Sequence, residues 1–458
     1  MAGGKYALEP QDVPEVDTAH RRIKTALPVP ESVPMLQELE KHEPQSMSGQ
    51  PPVIWHRAEG FNVEDAWGNR WIDWSSGCLV TNVGHGHPKI RAVIRELNER
   101  PLLATYVFRH EGRVQLAKKL AEVSPPGLDK VFLLSTGSEA TENTIKLART
   151  WGVRNFGPHK HVIVSFENAF HGRTLGAQLA GGMQAQKDWI VKTDVGFVQV
   201  PFPDGYKTED RSFDLFERSL AEQGVDPDDV AGVITEGYQG VGPDFMPAEY
   251  AQRLRRWCDE HDVVLIFDEV QSGFGRTGRL FCFEHYGIVP DLICCGKGVS
   301  SSLPLSAVVG RSEIMDLYAP GSMTSTHSAH PICCKAALAS VEVLLEEGLI
   351  QHAAEMEPVL SEGLDRIQEQ WPDAVGCAQA RGLVGGLQMA KPGSKTPDPE
   401  LATKVNEKCF QKGLLMFAPV GVAGECVKIA PPLCITEEAL REGIEVLAEA
   451  VEEACDGA

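Results

Sequence analysis

The sequence predicts an α/β protein whose larger part is a doubly wound, mostly parallel sheet. Short apolar runs rich in β-branched residues recur at 131–134, 161–166, 230–235, 263–267 and 291–295, the pattern of strands buried on both faces. Helical stretches such as 139–151 and 248–261 lie between them, so strand and crossover helix alternate. Several runs stop abruptly at polar or charged residues, among them Ser135, Glu236 and Asp268. In open α/β sheets, ligands gather at the carboxyl ends of the strands.

At 458 residues, with 43% hydrophobic and 23% charged side chains, the chain has room for a large domain and a smaller companion. Lys and Arg number 43 against 64 Asp and Glu, a formal charge of −21. That balance argues against nucleic acid or an anionic membrane as partner, and any anionic ligand needs a local positive pocket. The opening MAGGKYALEPQD has no apolar core or cleavage site, and no apolar run approaches a membrane span, so a cytoplasmic location is expected. The 12 cysteines include the pairs Cys294-Cys295 and Cys333-Cys334 in apolar surroundings, which read as reduced, mostly buried thiols. No CxxC pair suggests zinc.

Residues 1–50, rich in Pro, Glu and polar side chains, are expected to wrap over a neighbour or fray. GFNVEDAWGNRWIDW then alternates apolar and polar residues around a turn at Trp67-Gly68-Asn69, a hairpin. Gly84-His85-Gly86-His87-Pro88 offers two histidines without a third ligand and reads as a turn before a helix over 88–99. Residues 102–110 form a polar-aromatic stretch with Tyr106 and Phe108. The strand over 131–134 runs into Ser135-Thr136-Gly137-Ser138-Glu139-Ala140. This turn is either a phosphate cradle of free N–H groups at a helix start, or an ordinary helix start capped by Ser138.

The run 263–267 ends in Asp268-Glu269, and Lys297 follows the next apolar run, 29 residues after Asp268. An acid and a lysine leaving neighbouring strand ends suit pyridoxal phosphate: the lysine carries the aldehyde as a Schiff base and the acid keeps the pyridine nitrogen protonated. Gly273, Gly275 and Gly278 also spell GxGxxG, but DEVQS intervenes after the strand and two acids would repel a pyrophosphate. These glycines read instead as a tight turn under a cofactor. Beyond about Val343 a C-terminal small domain is expected, with helices around 350–370 and 436–454 and strands near Val384 and Val427. Its last helix has Thr436 as cap and an apolar stripe of Leu440, Ile444, Leu447 and Val451.

DEVQSGFGRTG followed by a strand and Lys297 resembles the signature of the class III pyridoxal-phosphate aminotransferases, and further matches run in family order from about Gly60 to about Leu447. The resemblance implies the fold type I architecture: a large domain with a mostly parallel doubly wound sheet, plus an α+β small domain. The implied division is an N-terminal extension (1–50), small-domain segments (51–85 and 344–458) and a cofactor-binding large domain (86–343). It implies transfer of an amino group from an amine or (ω-)amino acid, as in the 4-aminobutyrate and ornithine aminotransferases, to a 2-oxo acid. The kinetics would be ping-pong, in a homodimer with shared active sites or a tetramer built from it.

Carried over residue by residue, the family pattern makes Lys297 and Asp268 the catalytic pair. Gly137 and Ser138 would bind the phosphate, and Phe170 of the FHGRT turn would stack on the ring with His171 nearby and Arg173 holding the loop. Val270 would press on the opposite ring face, Gln271 would reach the phenolic oxygen, and Thr326 would be lent across the dimer to the partner's phosphate. Residues 75–83 resemble the lining of the substrate entrance. Glu236 and Lys428 occupy substrate-binding positions; no metal is implied.

Several residues depart from the family pattern. Gly237 replaces a proline, which should leave its loop freer. Ser302 stands where a glycine usually falls behind the lysine, His330 replaces an asparagine, and the second glycine after Arg381-Gly382 is displaced. Lys428 replaces the arginine that grips a carboxylate in the 4-aminobutyrate and ornithine enzymes, and a lysine cannot reproduce that two-pronged fork. The same fold and cofactor also serve racemases or epimerases, decarboxylases and phospho-lyases. A catalytically silent scaffold and an NAD dehydrogenase, the latter resting on GxGxxG alone, are more distant alternatives.

Overall fold

The computed structural model describes residues 6–192 and 194–456. The chain forms two compact units: Pro88–Ile350, and the chain up to His87 together with the chain from Gln351 onward.

Pro88–Ile350 is organised by seven strands: β1 (Lys130–Leu134), β2 (Val162–Phe166), β3 (Phe197–Val200), β4 (Val230–Glu236), β5 (Val264–Asp268), β6 (Leu292–Cys295) and β7 (Ser306–Gly310). Their spatial order is β1-β7-β6-β5-β4-β2-β3. β7 runs antiparallel to both neighbours, and the pairings among β6, β5, β4, β2 and β3 are parallel. Every residue of β2, β4, β5, β6 and β7 is buried, which explains why these strands read as unbroken apolar runs. The short strand β3 alternates half-buried and buried residues along FVQV and was not anticipated.

Helix α1 (Gly137–Phe156) packs its Ala140, Ile145, Leu147 and Ala148 onto the sheet core with Ile163, Ile234, Val264 and Val308. It starts earlier and ends later than the sequence suggested. Its cap is Thr136, not Ser138: Thr136 Oγ1 accepts the Glu139 N–H at 3.2 Å, while Glu139 Oε2 accepts the Thr136 N–H at 2.9 Å. The two groups form a reciprocal capping box. Helices α2 (Ala248–Glu260) and α3 (Pro331–Glu346) complete the parts used below.

In the second unit, the expected hairpin pairs Asn62–Glu64 with Arg70–Asp73. The expectation that residues 1–50 wrap or fray is overturned for the segment that precedes this hairpin. Val16–Asp17 pairs with Arg22–Ile23, and Arg22 pairs onward with Arg70, so the segment extends the same sheet. Ile23, Leu27 and Val29 are buried with Val63, Trp71 and Phe410. Trp71 lies parallel to Phe410 with ring centroids 5.6 Å apart and donates its indole N–H to the Phe410 carbonyl at 2.9 Å. The scattered apolar residues of this segment were thus core residues, filling a site made by distant sequence. A second sheet joins Val375–Arg381, Val384–Met389 and Cys426–Ile429, and the last helix runs Glu437–Asp456 with Thr436 Oγ1 accepting the Ala439 N–H.

Because Ile23 is fully buried against this core, Ile23→Ala is expected to cost roughly 2–4 kcal/mol. Denaturant unfolding of the two proteins measures this; a loss below about 0.5 kcal/mol, the surface range, would mean that the segment is not part of the folded core.

Candidate active site

Strand register places the chemistry. Asp268, the last residue of β5, pairs with Glu236 at the end of β4 and with Cys294 of β6. Lys297 follows three residues after Cys294, so acid, second acid and lysine leave one edge of one sheet. β1 delivers the Thr136–Ser138 turn to the same edge, where Ser306 at the start of antiparallel β7 donates its hydroxyl to the Thr136 carbonyl at 2.6 Å.

Val270 joins these turns. A Cβ added to Gly137 would lie 2.9 Å from Val270 Cγ1, and one added to Gly296 would lie 3.0 Å from the same atom. The missing side chains let the turn after β1, the turn after β5 and the turn before Lys297 close on one valine. Gly137, Ser138, Phe170, Val270, Gln271 and Lys297 are all half-buried, the condition of a cleft lining.

Asp268 is buried and hydrogen-bonded on both oxygens: His171 Nδ1 donates to Oδ2 at 2.8 Å and the Val270 N–H donates to Oδ1 at 3.1 Å. The sequence reading put His171 only nearby; its contact with Asp268 is a long-range pairing that neither local motif announces. His171 Nε2 is fully buried without a hydrogen-bond partner among the described residues. Asn168, two residues before Phe170, has φ +64°, and the Arg173 guanidinium lies 5.5 Å from the Phe170 ring, in keeping with a loop-holding arginine.

Two further carboxyls crowd the strand ends. Glu236 accepts the Phe170 N–H at 3.1 Å and the Gly240 N–H at 2.9 Å, and burial, with Asp268 adding to it, pushes its pKa up to about 7. Glu269 is fully buried, accepts the Ser272 hydroxyl at 2.6 Å and the N–H groups of Cys282 and Phe283 at 3.0 Å each, and is likewise pushed up by burial to about 7. The sequence marks Glu269 as the second acid at the strand end without giving it a role. Its adjacency to Asp268 was the available signal, because alternate side chains on a strand end face opposite ways.

Two expected departures are corrected. The Gly237 loop is not freer: Tyr286 Oη donates to the Gly237 carbonyl at 2.5 Å, and a Cβ at 237 would lie 2.5 Å from Cys282 Cβ and from Ser272 Oγ. Behind the lysine, the residue in left-handed backbone is Ser301 (φ +50°) rather than Ser302, and Lys297 itself has φ +44°. GxGxxG forms turns and is followed by a short 3₁₀ segment, Cys282–Tyr286, instead of the long helix a dinucleotide site requires.

Thr326 is exposed; its neighbour Ser325 donates to Glu139 Oε1 at 3.1 Å, and Tyr106 Oη lies 3.2 Å from Thr324 Oγ1. The polar-aromatic stretch and the Ser/Thr cluster are thereby brought together. His330 is the residue before α3. In the other unit, Lys428 is buried on the strand Cys426–Ile429, and His85 is held by Asp73 at 2.7 Å. There too, Ser76, Gly77, Cys78 and Leu79 take φ of +48° to +69°, a left-handed turn in the segment that resembles the entrance lining.

The residues fit pyridoxal phosphate. The N–H groups of Gly137 and Ser138 find no acceptor among the described residues, because the capping box uses the Thr136 and Glu139 N–H groups instead. Unsatisfied N–H groups at a helix start suit a phosphate. A buried carboxylate oriented by a histidine suits a protonated ring nitrogen.

The family model for aminotransferase class-III matches residues 45–451. The chain belongs to the class III aminotransferases. It is 34% identical to a 4-aminobutyrate aminotransferase of Mycobacterium leprae, over 93% of this chain and 97% of that protein. It is 32% identical to an alanine/serine racemase of Pyrococcus horikoshii, over 89% of this chain and 87% of that protein. Among solved structures, an ornithine aminotransferase from Toxoplasma gondii superposes with a TM-score of 0.82 at 26% identity, covering 93% of this chain and 96% of that one. The fold is therefore the expected α/β arrangement of fold type I, the cofactor is pyridoxal phosphate, and the enzyme transfers amino groups between amino and 2-oxo acid substrates.

The two raised acids make a pH prediction. A carboxyl whose folded pKa lies above its ordinary 4.5 contributes stability that is complete below 4.5 and is lost as pH rises through about 7. Glu269→Gln removes one such titration. Its stability deficit relative to wild type should therefore shrink between pH 5.5 and 8.5, read from urea midpoints at each pH. A deficit that grows with pH would reverse the assigned sign.

Proposed function

We propose that Lys297 and Asp268 are the working residues of this aminotransferase, on the strength of one observation: the turns bearing Gly137, Asp268 and Lys297 converge on Val270. Pyridoxal phosphate, when bound, supplies an aldehyde for the amino group and a protonated ring that accepts the electron pair left when a substrate C–H bond breaks. The Lys297 amine would hold that aldehyde, and its free amine would be the base for the proton on the substrate carbon. Asp268 would accept a hydrogen bond from the ring nitrogen and keep it protonated, with the His171 N–H fixing its carboxylate. Gly137 and Ser138 would hold the phosphate, Phe170 and Val270 would cover the ring, and Gln271 would bond the phenolic oxygen.

The substrate pair is an amine or (ω-)amino acid and a 2-oxo acid, and the family positions of Glu236 and Lys428 make each a candidate substrate contact. Residues 102–110 expose Leu103 and Phe108, 59% and 75% accessible, an apolar surface that supports a homodimer with Thr326 lent to the partner's phosphate. Twelve free cysteines suit a reducing, cytoplasmic compartment. No helix among the described residues is long and apolar enough to cross a membrane.

A second reading, racemisation, is favoured by the likeness to the alanine/serine racemase. Single amino donors added without oxo acid separate the two: aminotransfer yields the oxo acid and pyridoxamine phosphate in equal amounts, racemisation yields neither and inverts the donor.

Lys297→Ala should lose the cofactor's visible band and roughly three orders of magnitude or more in transfer rate. Asp268→Asn should lose about 10²- to 10⁴-fold while keeping the band. Single-turnover rates check both, and wild-type rates in either variant would contradict its role. Lys428→Arg should raise kcat/KM for donors with a distal carboxylate relative to those without; an unchanged donor profile would remove Lys428 from the substrate site.

A further inference from the structure

The turn that carries Lys297 uses conformations that L-residues avoid. Lys297 and Ser301 both lie in the left-handed region, at φ +44° and +50°, and such strain persists only where the surroundings over-determine it. Part of the constraint is backbone: Val299 N–H bonds the Gly296 carbonyl at 3.0 Å and Ser300 N–H the Lys297 carbonyl at 3.3 Å. The rest is a set of hydroxyls. Ser340, reaching in from α3, donates to Ser301 Oγ at 2.9 Å, with a longer second contact of 3.4 Å to the Gly298 carbonyl, and Ser301 donates to that carbonyl at 3.1 Å. Ser302 donates to the Ser300 carbonyl at 3.0 Å, and Ser300 to the Leu303 carbonyl. Ser300, Ser301 and Ser340 are each no more than 2% accessible, so these bonds form away from bulk solvent.

We propose that Ser340 is a positioning residue for Lys297, acting through a two-hydroxyl relay, Ser340 to Ser301 to the Gly298 carbonyl. The relay fixes the Gly298–Val299 peptide, one residue beyond the lysine, and so limits the turn from which the lysine side chain departs. The inference rests on the reading of Lys297 as the cofactor-bearing residue. Ser340 touches no reacting atom. The relay is needed because position 301 is not glycine: a glycine takes a left-handed φ without strain, which makes the hydroxyl support dispensable.

The test compares two ligands on cofactor-free protein. Pyridoxal phosphate can bond to the lysine; pyridoxamine phosphate, lacking the aldehyde, cannot, and it reports the remainder of the site. Ser340→Ala should lower the preference for pyridoxal over pyridoxamine phosphate about fivefold to tenfold, the worth of one buried hydrogen bond. Pyridoxamine phosphate affinity should stay within about twofold, a difference below one such bond. In a Ser301→Gly background, Ser340→Ala should change the preference by less than about twofold, since only the long 3.4 Å contact of Ser340 with the Gly298 carbonyl is left to lose, a non-additivity expected of residues acting as one unit. That pair also decides the matter if Ser340→Ala alone does not fold.

Equal weakening of both ligands, an unchanged preference, or the same loss in both backgrounds overturns the relay. Borohydride reduction of the wild-type complex and peptide mapping keep the two readings apart. A label on another residue sinks the assignment of Lys297. A label on Lys297 with an unchanged preference sinks only the role of Ser340.

Discussion

A carboxylate buried at the end of the central strand is the constraint around which this enzyme is arranged. Burying Asp268 would be costly without donors on both oxygens, and they come from two places: the backbone of its own turn and the side chain of His171 on the turn after β2. Parallel register brings Glu236 beside it, and chain continuity brings Glu269. Three acids at one strand edge cannot all ionise cheaply in a low dielectric. Burial raises Glu236 and Glu269 toward neutrality, and each is held by local donors, the N–H groups of the Phe170 and Gly240 turns or of the Cys282–Phe283 segment. The loops above the sheet are shaped by what these carboxyls accept.

Tight packing supplies the second half of the arrangement. Val270 is flanked by two turns that have no side chain to offer against it, Gly137 and Gly296. The turns bearing Gly137, Asp268 and Lys297 therefore sit at van der Waals separation. The likeness to both a 4-aminobutyrate aminotransferase and an alanine/serine racemase is consistent with this economy. What surrounds a shared cofactor can stay constant while the residues that meet the substrate change, and fold alone does not choose between the outcomes.

Much of the large unit was legible because its strands are buried on both faces and thus spell continuous apolar runs. Asp268 and Lys297 stood out as charges at the ends of such runs. Short or half-exposed pieces were not legible. Strand β3 has only four residues, and Val16–Asp17 and Arg22–Ile23 have two each, too few for any period to register. Ser138 allowed two readings, cap or phosphate ligand, and the cap is Thr136 because its spacing to Glu139 closes a reciprocal box. Gly237 looked permissive, yet Cys282 and Ser272 occupy the space a side chain would need.

The sequence by itself determined the alternation of strand and helix, the cofactor-suited pair of Asp268 and Lys297, and the family motifs that surround them. All of these are recorded in local residue order and spacing. Only the tertiary structure decided which histidine holds Asp268, that Glu269 is a buried acid, that the early segment joins a sheet, and that Ser340 supports the lysine turn. Each of those rests on contacts that cross the chain: His171 to Asp268, Glu269 to Phe283, Arg22 to Arg70, Ser340 to Ser301. Hydrogen bonds and packing act over ångströms of space, and a linear pattern carries no record of which distant residues will share them.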